Sequence, residues 1–307
     1  MLSKFLDPKN DVAFRKIFGS EKNKDILIHF LNDMVVFKEK EPIEDVTFLK
    51  TVQDPDIAAQ KTSIVDILAK DTQGNQYIVE MQVAKEKGFE KRAPYDAAKA
   101  YIAQVKAGGK YHDLKEVIFL AIADFIMFPN KKSYKSDHVI LDKESHEQDL
   151  RDFSFTFLEL PKFEKPLGEL ETMVDKWAYF FKQAEKTSEE DLDVLVGSDE
   201  IMERAYDELN RFSWDDEELL IYDQAEKYAG AYRASMDQKY DEGKEAGRRE
   251  GEEIGIKKGE EIGIKREKQD LARKMLSKGM SLEEVSEITG LSVTDLQSLN
   301  SSRTTGG

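Results

Sequence analysis

Between Asp11 and Val35 the apolar residues fall at helical spacing, with Ala13, Ile17 and Phe18 followed by Ile26, Leu27, Phe30, Leu31 and Met34. This predicts two short helices, over 11–18 and 25–35. The period then shortens. Residues 46–52, 63–70 and 76–83 are β-branched and aromatic runs divided by turn residues, notably Asp71-Thr72-Gln73-Gly74-Asn75, and read as three strands. Residues 89–106 return to a helical period that gathers Tyr95, Ala98, Tyr101, Ile102 and Val105 on one side, with Gly108-Gly109 as a stop. The wholly apolar run 117–123 is a buried strand. Residues 137–141 and 153–160 continue as strands that extend the sheet, and 170–184, 199–212 and 217–240 as amphipathic, acid-rich helices.

From Gly243 a strict repeat begins, with Gly at 243, 247, 251, 255, 259 and 263. Four is a helical period, yet Gly costs roughly 1 kcal/mol each relative to Ala in a helix. The pairs Glu245 with Arg249, Glu253 with Lys257 and Glu261 with Lys265 return only ~0.3–0.5 kcal/mol apiece. The segment is therefore either a helix that packs its small-residue stripe on a partner helix, which makes the chain a homo-oligomer through its C-terminal helices, or a solvated, flexible linker. Residues 271–299 hold two short helical patterns about Thr289-Gly290, opened by Ser281-Leu-Glu-Glu284 and Ser292-Val-Thr-Asp295, and resemble a helix-turn-helix. Its second helix has an acid and no Lys or Arg, so it is expected to dock protein rather than read a DNA groove.

Composition narrows the chemistry. With no Cys and four His among 307 residues, disulfides, thiolate zinc sites and cysteine nucleophiles are excluded. No run approaches ~18 apolar residues and the N-terminus has no apolar leader, so the expected location is the cytoplasm and no membrane partner is expected. The net charge of −16 argues against nucleic acid, but residues 1–128 carry 19 basic and 20 acidic side chains, leaving 27 and 42 for the rest. The acidity belongs to the C-terminal part, and the N-terminal part is free to present a basic groove.

If the hairpin closes on residues 71–75, Lys70 lies opposite Gln76 and Asp66 opposite Glu80, with Gln82 projecting to the same side. Asp66 and Glu80 then face each other in a sheet that is apolar on both faces, where burial and like charge oppose ionisation. Two arrangements compensate. In one, the carboxylates enter a buried network with Lys61, Arg92 or a tyrosine. In the other, a divalent cation takes hard oxygen ligands from them.

An Asp on one strand and Glu-x-Gln on the next, inside helix, three strands, helix, strand, resembles the PD-(D/E)xK nuclease superfamily. Asp11-Val-Ala-Phe-Arg-Lys-Ile-Phe18-Gly19, Ile64-Val-Asp66-Ile-Leu, Tyr77-Ile-Val-Glu80-Met-Gln82, Arg92-Ala-Pro-Tyr95 and Tyr101-Ile-Ala-Gln104 resemble its Rpn family of recombination-promoting nucleases and transposases. The glycine repeat and the closing segment from Met280 are similar to that family's C-terminal region. The resemblance implies an α/β fold, with a restriction-endonuclease-like core over 1–165. The mainly helical remainder comprises an acidic region over 166–240, the glycine repeat over 241–270, a helix-turn-helix-like module over 271–300 and a disordered tail over 301–307. It also implies a Mg²⁺- or Mn²⁺-dependent DNA endonuclease that promotes recombination. Asp66, Glu80 and the Met81 carbonyl would hold the metal, and Asp66, Glu80 and Gln82 would form the catalytic set.

Gln82 stands where many members of the superfamily carry Lys, and it offers neither a cation nor a base. Lys99 is a candidate to assist. Asp11 either joins the site or caps its helix, and Arg92 and Gln104 either reach the site or touch phosphate, Gln104 otherwise packing near Tyr101. Tyr95 and Tyr101 are expected in the core. Lys85 and Lys87 are phosphate candidates or a solvated turn. The competing function is a non-catalytic scaffold with a nuclease fold, assembling through its C-terminal helices.

Overall fold

The structure, a computed structural model, describes residues 3–35, 41–53, 63–105 and 109–301. It divides into two units, residues 1–233 and 234–307. In the first, helices α1 (Asp11–Phe18) and α2 (Lys24–Met34) form where the periodicity placed them. The strands are β1 (Val46–Phe48), β2 (Val52–Gln53), β3 (Ser63–Ile64), β4 (Ile67–Asp71), β5 (Gln76–Gln82), β6 (Val117–Ala123), β7 (Lys135–Val139) and β8 (Phe153–Glu159), with α3 (Phe89–Ile102) between β5 and β6. Six of them make one sheet in the order β1-β4-β5-β6-β8-β7, while β2 and β3 pair apart from it. The centre is parallel, β5 with β6 and β6 with β8, and the outer pairs are antiparallel.

Alternation along the strands loads both faces, as a covered sheet requires. Ile67, Ala69, Tyr77, Val79, Met81, Ile118, Leu120 and Ile122 join α1, α2, α4 (Met173–Gln183) and α6 (Glu200–Leu209) in the larger core, where Trp177 packs edge-on against Phe30 at 5.1 Å. Leu68, Ile78, Phe119, Ala121 and Phe157 pack under α3. The face that α3 buries carries Phe89 and then Ala93, Ala97 and Ala100, alanines small enough to bring the helix close to the sheet. Tyr95 and Ile102, on the stripe that periodicity favoured, are exposed instead. Tyr101 is half-buried and donates a hydrogen bond to Asp152.

The β4–β5 register is the predicted one, Lys70 opposite Gln76. The predicted strand 63–70 is interrupted at Val65-Asp66. Ser188 caps α5 (Glu189–Val196) through the Asp191 amide, with acids at 189–191 in the first turn. Helix α7 (Asp216–Ser277) opens with the Asp215 carboxylate accepting from the Glu218 amide and contributes its residues up to Arg233 to the first unit.

In the second unit the glycine segment is helical, part of α7. Glu245 pairs with Arg249 at 3.1 Å and Glu253 with Lys257 at 2.8 Å, two of the three expected pairs. A Cβ on any glycine of the stripe would meet no atom within 4 Å beyond its chain neighbours and the helix's own adjoining backbone. Helices α8 (Leu282–Thr289) and α9 (Val293–Ser301) close on a core of Ala272, Val285, Leu291 and Leu296. Gly290 makes the turn between them at φ +69°, a conformation costly for most side chains. The predicted disordered tail lies, from residue 302 onward, outside the described residues.

Candidate active site

Glu80 is the fifth residue of β5, flanked by the apolar Tyr77, Ile78, Val79 and Met81, and is 1% exposed, on the α3 face of the sheet. Asp66 sits one residue before β4. Backbone donors explain why the strand breaks there. The Asp66 carboxylate accepts from the Met81 amide at 2.9 Å, taking a bond that a ladder carbonyl would otherwise accept, and Glu80 Oε1 accepts from the Asp66 amide at 3.1 Å. Each carboxylate thus satisfies the other strand's N–H, and the two side chains are locked edge to edge. Gln82, two residues on, donates Nε2–H to Glu80 Oε2 at 2.8 Å. The predicted trio is one hydrogen-bonded cluster.

Positive charge comes from two helices. Arg15 of α1 lies 3.1 Å from Asp66 Oδ1. Arg92, in the first turns of α3, reaches Glu80 at 3.3 Å, Asp96 at 3.1 Å and Glu86 at 3.6 Å, and also donates to the Ile64 carbonyl. Of the network partners expected for the pair, Arg92 is present and Lys61 lies outside the described residues. Even so, burial and the Asp66 charge outweigh Arg92, and the Glu80 carboxyl is pushed up to about 8.

Asp66, Glu80, Gln82 and Arg92 line a cavity of about 720 Å³ in the first unit, shared with Asp7, Lys9, Asn10, Asp11, Glu86, Glu226 and α7 residues as far as Arg233. Asp11 does not cap α1. Asn10 does, accepting from the Val12 amide at 2.9 Å, which leaves Asp11 in the cavity wall with its carboxyl raised by burial and by the Asp66 charge. Asp7 is raised by burial as well.

Six lining carboxylates face three lining cations, Lys9, Arg92 and Arg233, a shortage of positive charge, and burial raises the carboxyls of Glu80, Asp11 and Asp7. A hard divalent cation fits that shortage, with Asp66 and Glu80 as oxygen donors. The Met81 carbonyl points to the same strand edge as its amide, toward Asp66, because both groups of an extended residue face one side. Among the described residues no group of three or more acidic or His side chains is poised to hold a metal, so backbone carbonyl and water would have to complete the shell.

The other candidates disperse. Gln104 is tied to the Lys115 backbone by two hydrogen bonds, 2.8 and 3.0 Å, away from the cavity. Lys99 lies over the Tyr95 ring, 5.3 Å from its centroid, and is not in the cavity wall. Lys85 donates to the Ile126 carbonyl at 3.3 Å, and Lys87 is exposed on the turn beyond β5. Sequence reasoning missed Arg15, Asn10 and the α7 wall. Arg15 lies one helical turn from Asp11 within the Asp11–Phe18 segment already singled out, but the α7 residues carried no signal linking them to a strand some 140 positions earlier.

Residues 8–239 match the family described as PD-(D/E)XK nuclease family transposase. Residues 265–301 match the C-terminal HTH domain of the Rpn/YhgA-like nuclease family. No curated protein and no solved structure matches the chain.

Proposed function

Because the chain belongs to the PD-(D/E)XK nuclease family transposases, we propose that it is an endonuclease that hydrolyses DNA phosphodiesters with a bound divalent cation, Mg²⁺ or Mn²⁺, and that its breaks promote recombination. PD-(D/E)XK nucleases generally use divalent metal ions. One observation carries the reading. Asp66 and Glu80 are held together beside the start of β4 in the wall of a cavity, with burial and the Asp66 charge pushing Glu80 up to about 8.

Asp66 and Glu80 would hold the metal together with the Met81 carbonyl. When bound, such an ion polarises a phosphoryl oxygen and supplies hydroxide from water at neutral pH. The protein's own residues do the rest. The reciprocal amide bonds fix both carboxylates before substrate arrives, so no ordering is required at the moment of reaction. Gln82 orients Glu80 Oε2 and has an amide oxygen left to position a water by hydrogen bonding. Arg92 and Arg15, each already at hydrogen-bond distance from a carboxylate, balance the site's charge and can turn to phosphate when a cation takes their place. With Gln82 in the position that is Lys in the family's name, that position supplies no cation to the water, and turnover is expected to be slow.

The test is closed circular DNA incubated with EDTA, Mg²⁺ or Mn²⁺, using wild type and Glu80→Ala. Cleavage that needs the metal and disappears in a folded Glu80→Ala variant supports the reading. Cutting in EDTA, or equal cutting by the variant, refutes it.

A further inference from the structure

The cavity has a second wall that the family chemistry does not use. Helix α7 lines it with Ile221, Gln224, Ala225, Tyr228, Tyr232 and Arg233, opposite the strand residues Asp66 and Glu80. This wall is held in place. Asn10, the cap of α1, donates to the Tyr222 carbonyl at 3.2 Å and to Glu226 at 2.9 Å, and the Tyr222 hydroxyl accepts from the Asp7 amide at 2.9 Å.

Three features of this wall point to a ligand. Tyr228 and Tyr232 are four residues apart and so share one side of the helix. Tyr228 is 77% exposed although it borders a cavity, and Tyr232 is half-buried. Between and beside them the helix carries the small residues Ala225, Ala229 and Gly230. The cations also differ. Lys9 is engaged with Asp7 and Asp124, and Arg92 with Glu80, Glu86 and Asp96. Arg233 has no ion pair among the described residues, and its Nε is buried without a hydrogen-bond partner. A guanidinium left uncommitted among carboxylates is waiting for an anion that enters from outside.

The exposed Tyr228 ring, the half-buried Tyr232 ring beside it and the unpaired Arg233 guanidinium are the parts of a single-strand nucleotide site, in which bases stack on aromatic faces and a cation meets the backbone. The volume, about 720 Å³, is in the range that houses one small ligand, roughly 300–1,000 Å³, which suits a nucleotide or two and not a paired duplex. Resting on the nuclease reading of the opposite wall, we propose that Tyr228, Tyr232 and Arg233 bind an unpaired stretch of DNA. The two tyrosines stack its bases, Arg233 takes a phosphate, and the strand lies along Asp66 and Glu80. The preferred substrate is therefore single-stranded or frayed DNA.

The experiment measures binding of a labelled oligothymidine and of a blunt duplex to the full-length protein by fluorescence anisotropy in Ca²⁺, with intactness of the label checked on a denaturing gel. The variants are Tyr228→Ala, Tyr228→Phe and Arg233→Gln. The expected result is tighter binding to the single strand than to the duplex. Tyr228→Ala should lose about tenfold or more, while Tyr228→Phe keeps wild-type affinity because the ring face is retained. Arg233→Gln should weaken binding and lower the log–log salt slope by about one. Equal affinity for the blunt duplex, or an unaltered affinity in Tyr228→Ala, would overturn the proposal. The two readings fail separately. Metal-dependent cutting that needs Asp66 but ignores these variants removes the nucleotide wall and spares the nuclease. Oligothymidine binding that depends on Tyr228 in a protein that never cuts does the reverse.

Discussion

Replacing Glu80 with Gln should stabilise the metal-free protein, and increasingly so as the pH rises. The Glu80 carboxyl is raised from an ordinary 4.5 to about 8 in the fold. A carboxyl raised in this way contributes stability that is fully present below the unfolded value and lost as pH climbs through the folded one. At pH 5 the unfolded state is only part-ionised and the cost is below about 1 kcal/mol. At pH 8 nearly the whole shift is felt, at about 1.4 kcal/mol per unit. The stability of Glu80→Gln relative to wild type should therefore grow by about 3 kcal/mol between pH 5 and pH 8 in EDTA.

Contacts shift the whole curve without changing its slope. The variant keeps an acceptor for the Asp66 amide, gives up the charge facing Arg92, and obliges Gln82 to turn its amide over. Urea melts followed by tryptophan fluorescence report the first unit alone, since both tryptophans, Trp177 and Trp214, lie there. Saturating Mn²⁺ should erase the variant's advantage, because a ligand at a hundred times its Kd adds about 2.7 kcal/mol to the protein that binds it. A pH-independent difference between variant and wild type, or loss of stability that is larger at pH 8, would refute the reasoning.

Three other expectations follow from the same contacts. Asn10→Ala removes the α1 cap and both bonds to α7, and should cost about 1–3 kcal/mol in the same urea assay, an unchanged midpoint counting against the docking of the α7 wall. Gln82→Lys places a cation beside Glu80 and should move the acid limb of the cleavage–pH profile down by about one unit, and an unmoved limb would mean that Glu80 does not set it. Gly247, Gly251 and Gly255 changed together to Ala have open space for each Cβ and should raise helix stability by roughly 1 kcal/mol apiece. If the stripe joins two copies of α7, beside its exposed Ile254 and Ile262, the same variant should dissociate in sedimentation, and an undisturbed oligomer would dismiss that packing.

The central sheet was legible because its signals are local. The apolar run 117–123 has one reading, and the turn at residues 71–75 set a hairpin register that carried Asp66 to Glu80. What periodicity could not rank was which side of α3 is buried. A stripe of Tyr and Ile outscores a stripe of Ala by hydrophobicity, yet the close approach of helix to sheet selects Ala93, Ala97 and Ala100. The strand break at Asp66 was equally hidden, because it depends on side-chain acceptors replacing ladder carbonyls. Gln104 followed the family's motif spacing, but a loop of the fold, the backbone at Lys115, claims its amide. The α7 wall depends on a chain that returns to the site after some 140 residues, a placement no local pattern encodes.

The most direct test is the rate of plasmid nicking as a function of Mn²⁺ concentration, with Mn²⁺ occupancy measured on the same samples of wild type and Asp66→Ala. The account predicts that in the wild type nicking rises with occupancy of a site, and that Asp66→Ala loses both together while its fold survives. Nicking that proceeds in Asp66→Ala, or Mn²⁺ that binds the variant as tightly as the wild type, would contradict it.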